Sequence, residues 1–293
     1  MPVMDQLTSL LITAERASAE SPVTLDVFHR GQAAPSSDGS TDTESVQAPL
    51  GRIVADAGRI CWVAAKGYNT TMSDLLAAAT GIPARQLEDV YEVACTEGSP
   101  FCETLVATGL VSAEEVHDTL RQQTADAART LAGNNEDDKN TVCVARIPRL
   151  AYDPCFTFGA LEVLEAAISG SQELRLGEAS VPPRYQQVAA RSTAALCFRE
   201  SDGPELPFVP VAGGSHSGLT LAEAVELALA GLAASQPADA VLAEITPFPL
   251  VLNGDSEWWI CEHAAPHLCL YQVNARDEYL DVMEALVSGR RAA

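Results

Sequence analysis

Short runs of β-forming residues alternate with longer stretches of helical periodicity throughout the second half of this chain. Apolar residues at every second position predict a strand, and a period of about 3.6 residues predicts a helix. The predicted helices span residues 184–191, 220–235 and 277–288. The predicted strands span residues 194–199, 206–211, 241–246, 250–252, 258–263 and 268–273, and Pro247 and Pro249 can split one strand in two. The resulting order, α-β-β-α-β-β-β-α, predicts an antiparallel sheet covered by helices, which is an α+β sandwich.

The first half predicts a second α+β module. Strands are expected at residues 23–28 and 142–147 and in a hairpin at residues 51–65, which turns at Asp56, Ala57 and Gly58. Helices are expected at residues 4–19, 71–79, 84–95, 101–108, 112–132 and 158–169. The helix from residue 112 begins with a capping box, in which the Ser112 hydroxyl and the Glu115 carboxylate satisfy free backbone N–H groups.

Two polar segments divide the chain. Residues 31–48 are rich in Ser, Thr, Asp and Gly and too poor in large apolar residues to order themselves, so they predict a mobile loop. Residues 172–183 end in Pro182 and Pro183 and predict a linker. The expected organisation is therefore an N-terminal helix within residues 1–20, one module at residues 21–175 and a second at residues 181–293.

The charge balance excludes several classes of partner. The chain has 293 residues, 47% of them hydrophobic, and a net charge of −22. Lys66 and Lys139 are its only lysines, and the arginines are scattered, so we expect no binding to nucleic acid or to an anionic membrane. The N-terminus lacks the pattern of a signal peptide and no apolar run reaches the roughly 20 residues of a membrane span, which predicts a cytoplasmic protein. The excess of Arg over Lys indicates a GC-rich bacterial genome.

The element order of residues 181–293 resembles the roadblock/dynein light chain family and, more distantly, the longin and profilin-like folds. The resemblance rests on the long helix at residues 220–235 between two groups of antiparallel strands. It implies binding to a small Ras-like GTPase of bacterial motility or polarity, and a homodimer formed through that helix and a sheet edge. The prolines at residues 247 and 249 depart from the family pattern, because they interrupt the strand that usually pairs at the edge.

The hairpin at residues 51–65 (GRIVADAGRICWVAA) resembles that of the bacterial PATAN-type regulatory domain. Residues 101–123 (FCETLVATGLVSAEEVHDTLRQQ) resemble the helical repeat found beside that domain and at the start of secretion ATPases. This resemblance implies a signalling scaffold near two-component systems and motility regulators.

Cys261, His263, His267 and Cys269 form the strongest candidate metal site. A turn at residues 264–266 would pair His263 with His267 and Cys261 with Cys269, placing all four side chains on one sheet face. Two Cys and two His are a zinc ligand set, although flat hairpin positions hold ligands farther apart than a zinc knuckle does. A disulfide is a further alternative. We favour packing of these side chains in the core, and we expect no cofactor and no catalytic residue.

The predicted partner-binding residues lie on the long helix and on one strand. Apolar residues at helical spacing form a stripe that could pack on the sheet or against a second copy of the chain. Trp258 and Trp259 place one indole on each sheet face, which predicts one core residue and one exposed anchor. The complete set is Leu221, Ala224, Val225, Ala228, Leu229, Leu232, Trp258 and Trp259.

Together these patterns favour a non-enzymatic regulatory or adaptor protein that forms homodimers and binds a protein partner. The partner implied by the resemblances is a small GTPase or another signalling protein of a bacterial polarity, motility or two-component pathway. Two alternatives stay open: a metal-dependent or thiol enzyme built on the Cys/His hairpin, and a structural assembly subunit.

Overall fold

The computed structural model describes residues 2–29, 48–134, 141–146, 156–170, 181–182, 185–200, 208–213, 217–235, 250–253, 258–264, 266–274 and 276–291. Contacts between Cα atoms divide the chain into two compact units. One unit is Leu10–Gly170, and the other joins Met1–Ser9 to Ser171–Ala293. Helix α1 (Pro2–Ser18) contributes residues to both units. The predicted loop at residues 31–48, apart from residue 48, the strand at residues 241–246 and most of the predicted linker lie outside the described residues.

The first unit contains a four-stranded antiparallel sheet in the order β3-β2-β1-β4. Its strands are β1 (Val23–Phe28), β2 (Gly51–Asp56), β3 (Arg59–Ala65) and β4 (Thr141–Arg146). The predicted hairpin is confirmed as β2 and β3. Ala57 and Gly58 join these strands, and both have positive φ, as a type I′ turn requires. A bulge between Val54 and Ala55 shifts the register of the pair.

Five further helices of the first unit are α2 (Met72–Thr80), α3 (Ala84–Glu97), α4 (Phe101–Ala107), α5 (Ala113–Gly133) and α6 (Ala160–Ser169). The predicted capping box is present, because the Glu115 N–H donates to the Ser112 hydroxyl and the Ser112 N–H donates to Glu115. The predicted start of the last helix at Phe158 is wrong by two residues. Phe158 instead exchanges two backbone hydrogen bonds of 2.8 Å with Ile60 on the open edge of β3.

The second unit contains a five-stranded antiparallel sheet in the order β6-β5-β9-β8-β7. Its strands are β5 (Ala194–Glu200), β6 (Phe208–Gly213), β7 (Leu250–Asn253), β8 (Trp258–Ala264) and β9 (His267–Val273). Its helices are α7 (Tyr185–Ala189), α8 (Leu221–Ser235) and α9 (Arg276–Arg291). The α+β class and the antiparallel sheet predicted for this half are confirmed.

The central strands β5 and β9 of this second sheet carry buried side chains on both faces. On one face, which we call the α9 face, Val188 of α7 and Val282 of α9 pack in one core with Ile260, Cys269 and Tyr271. The opposite face carries fully buried residues, namely Leu196, Phe198, Leu268 and Leu270. Helix α8 contacts four strands, β6 to β9. Within the described ranges, no helix is long and apolar enough to cross a membrane.

Gly51 leaves no room for a side chain between β2, β3 and α5. A Cβ atom at this position would collide with the backbone oxygen of Ala64 and would lie 2.7 Å from Leu131 Cδ1. We predict that Gly51→Ala lowers the free energy of unfolding by about 2 kcal/mol, because overpacking forces the strand or the helix to move. Urea denaturation would measure the change.

Gly133→Ala is the matched control. Nothing lies within 4 Å of a Cβ at residue 133, which ends α5, so this variant should be neutral or more stable by up to about 1 kcal/mol. Equal stability of Gly51→Ala and the wild type would contradict the packing described for α5 on the sheet.

Candidate functional site

The register of β8 and β9 determines whether the two Cys and two His residues of this hairpin lie on one sheet face. Ala264 lies opposite His267, and His263 lies opposite Leu268. The predicted pairing of His263 with His267 and of Cys261 with Cys269 is therefore wrong by one residue. The strands extend further than the sequence pattern suggested, so two residues rather than three separate them.

This one-residue difference separates the four candidate ligands. Because side chains alternate along a strand, Cys261 and His263 lie on one sheet face, whereas His267 and Cys269 lie on the α9 face. Across the described part of the chain, no group of three or more His, Cys, Asp or Glu residues is placed to hold a metal ion. The arrangement required by the zinc hypothesis is not the arrangement of this hairpin.

Each member of the set has a local environment of its own. His263 Nε2 lies 3.2 Å from Glu200 Oε1 near the surface. His267 is buried, and burial lowers its pKa, because desolvation disfavours the charged imidazolium. Burial raises the pKa of Cys261 to about 12. Cys261 is therefore a protonated, weakly reactive thiol at neutral pH.

Cys269 contacts a cysteine that sequence reasoning did not connect with it. Cys197 on β5 lies directly opposite Cys269, and their sulfur atoms are 3.5 Å apart. Both side chains are buried, as is Glu262, the partner of Cys269 on β8. The contact with Cys269 and burial raise the pKa of Cys197, and burial raises the pKa of Tyr271 beside them. The raised pKa values favour the neutral forms of Cys197 and Tyr271 at neutral pH, so these two side chains pack as core residues and are poor nucleophiles.

Thiol labelling tests this assignment. At pH 8 we expect iodoacetamide to modify Cys95, which is exposed on α3, and to leave Cys261 and Cys197 unmodified until the protein is denatured. The raised pKa values keep both buried thiols protonated, and the fold excludes the reagent. Peptide mass spectrometry would read out each cysteine. Labelling of Cys261 as fast as Cys95 in the native protein would overturn the buried assignment.

The predicted partner stripe on α8 faces mostly inward. Leu221, Ala224, Val225 and Ala228 are buried within the chain, and Leu232 is half-buried. Only Leu229 is exposed, at 38%. Neither Ala224 nor Ala228 is exposed, so of the two alternatives for the stripe the structure shows the one in which it packs on its own sheet. The stripe stabilises the unit to which it belongs, because its apolar side chains are buried within that unit, where α8 contacts the sheet.

Substitutions at two adjacent residues of α8 distinguish a core position from a surface position by their effect on stability. We predict that Ala228→Arg lowers the free energy of unfolding by about 4 kcal/mol or more, because the charge has no partner inside the core. Leu229→Arg should change stability by about 0.5 kcal/mol or less, since its side chain reaches water. Thermal unfolding followed by circular dichroism would compare them. A folded Ala228→Arg protein with wild-type stability would restore the interface assignment.

The two tryptophans divide as predicted. Trp259 is buried, and Trp258, at the start of β8, is 45% exposed. The Trp258 indole lies perpendicular to the ring of Tyr279, with centroids 6.2 Å apart. Leu280, the next residue of α9, is 53% exposed. We call Trp258, Tyr279 and Leu280 the α9 patch. Sequence reasoning missed Tyr279 and Leu280, although Leu280 interrupts the polar side of an amphipathic helix.

Exposed carboxylates border Leu280 on the outer side of α9. Asp277 and Glu284, at i−3 and i+4, lie on the same helix face as Leu280, and Asp281 follows it in the sequence. The Glu278 carboxylate accepts hydrogen bonds at the start of α9, from the Thr193 hydroxyl and from the Asn274 N–H. The candidate site of the second unit is thus an apolar surface with an acidic border.

The chain matches no protein-family model, no curated protein and no solved structure. The roadblock-like and PATAN-like resemblances accordingly stay predictions.

Proposed function

We propose that this chain is a non-enzymatic adaptor whose second unit binds a protein partner. The observation that carries the proposal is the α9 patch, where Trp258 and Leu280 stay exposed although the faces of the sheet beside them are buried. Exposed aromatic residues contribute a large share of the binding free energy at protein interfaces. A surface of this kind binds another macromolecule more readily than it performs chemistry.

The proposed partner is a small Ras-like GTPase of a bacterial polarity, motility or two-component pathway. The support is the order of the described elements, α7-β5-β6-α8-β7-β8-β9-α9, which is compatible with the roadblock-like resemblance. That argument is one of fold-level analogy. Homodimer formation belongs to the same proposal, and light scattering of the purified chain tests it directly.

Binding to purified GTPases tests the function. Each Ras-like GTPase of the native host would be loaded with GDP or with a non-hydrolysable GTP analogue and mixed with the full chain. We expect one of them to co-elute with the chain on size-exclusion chromatography and to give a saturable calorimetric titration.

An unrelated phosphate-loop ATPase of the same host serves as the negative control. If no GTPase in either nucleotide state changes the elution of the chain, the GTPase proposal is wrong. If the control protein co-elutes equally well, the binding is not specific.

A further inference from the structure

We infer that the α9 patch, together with the carboxylates of Asp277 and Asp281, binds a basic segment of the partner protein. In this arrangement an arginine or lysine side chain lies against the Trp258 indole, and its neighbours pair with the acidic border. The inference rests on the proposed function as a protein-binding module and names the chemistry of the partner.

The aromatic part of the patch is positioned before any partner arrives. Trp258 belongs to a strand paired on both sides, opposite Asn253 and Val273. The perpendicular contact with Tyr279 holds its ring against α9 and still leaves almost half of the side chain exposed. A ring held in this way loses little conformational entropy on binding. It therefore offers a preorganised surface to a cation or an apolar side chain.

The exposed charges of α9 favour a partner segment of positive charge. Asp277 and Glu284 carry exposed carboxylates on the helix face that presents Leu280, and Asp281 carries a third on the adjoining outer face. Two cations are close to these carboxylates in the fold or in the sequence: Arg191, whose guanidinium donates to the backbone oxygen of Asp281 at 3.5 Å, and Arg276, which directly precedes Asp277. With Glu278 included, four carboxylates against two guanidinium groups leave an acidic excess. Because complementary charge guides association and opposes like-charged partners, a basic segment fits and an acidic one does not.

Guanidinium and ammonium groups suit both parts of the surface. Each is attracted to the face of an indole ring, and each pairs with exposed carboxylates at the same time. The apolar stem of either side chain can cover Leu280 while its charged end stays in water. An arginine- or lysine-bearing segment therefore satisfies the aromatic, acidic and apolar features together.

The first unit offers a tryptophan of equal exposure in a different electrostatic setting. Trp62 on β3 is 44% exposed, against 45% for Trp258. On the same sheet face, Arg52 Nε donates to Asp26 Oδ1 at 2.6 Å, and this ion pair cancels its own charge. Trp62 thus provides a matched control, an exposed indole on a sheet face that carries a neutral ion pair.

The test uses oligo-arginine as the probe and the full chain as the receptor, with affinity measured by calorimetry at physiological salt. Trp258→Ala should weaken binding by about two- to fivefold, the loss expected for one exposed cation–π contact. Trp62→Ala should bind as the wild type does. Equal affinities of the two variants would overturn the inference, whether both are weakened or neither is.

A charge-reversal pair separates the patch from the net charge of −22, which attracts any polycation. Asp281→Lys should weaken binding by about fivefold, because it removes an ion pair and adds a repulsion. Glu20→Lys changes the net charge by the same amount at an exposed position outside the patch and should leave the affinity close to that of the wild type. Equal weakening by both would show general attraction to an acidic protein and would reject the patch.

Two further readouts keep the result interpretable. Circular dichroism shows whether each variant is folded. If Trp258→Ala does not fold, the comparison of Asp281→Lys with Glu20→Lys tests the inference. If no GTPase binds but the variants change oligo-arginine affinity as expected, the proposed partner is wrong and the site for a basic segment is supported. GTPase binding that is insensitive to Trp258→Ala and Asp281→Lys would reject the site and keep the proposed function.

Discussion

Burial of strand β9 on both of its faces is the constraint on which the second unit depends. All seven residues of this strand are buried, and it lies between β5 and β8. Its backbone groups are satisfied by two neighbouring strands, but its alternating side chains require apolar cover above and below the sheet. Val282 and Leu286 of α9 supply that cover on one face. The inner sides of these helices are therefore buried in the core and are not available to a partner.

The same constraint explains why Cys197 and Cys269 are buried. Cys269 points from the buried central strand into the α9 face, where the chain places Cys197 against it. A thiolate there would be buried away from water and next to the carboxyl group of Glu262, which costs free energy unless hydrogen-bond partners surround it. The contact with Cys269 and, after it, burial raise the pKa of Cys197, and burial raises the pKa of Cys261 on the opposite sheet face. Catalysis by the hairpin would require the opposite environment.

Binding surfaces remain where the cover of the sheet ends. Trp258 is the first residue of β8, and the adjoining turn of α9 carries Tyr279 and Leu280. Helix α9 must turn Val282 and Leu286 inward, and this orientation leaves Leu280 and the neighbouring carboxylates outward. An aromatic side chain next to an acidic border is thus a consequence of how the helix closes the core. This is the physical basis for proposing a basic partner segment.

Local patterns in the sequence determined most of the elements. Alternation predicted the hairpin of β2 and β3, Ser112 and Glu115 predicted the start of α5, and the Trp258–Trp259 pair predicted one buried and one exposed indole. Each depends on residues close together in the chain, so the sequence contains the whole signal. Tertiary structure alone decided the hairpin register, the Cys197–Cys269 contact and the inward orientation of Ala224 and Ala228. Those outcomes depend on how distant strands and helices compete for the same apolar area, and a single residue of slip exchanges one sheet face for the other.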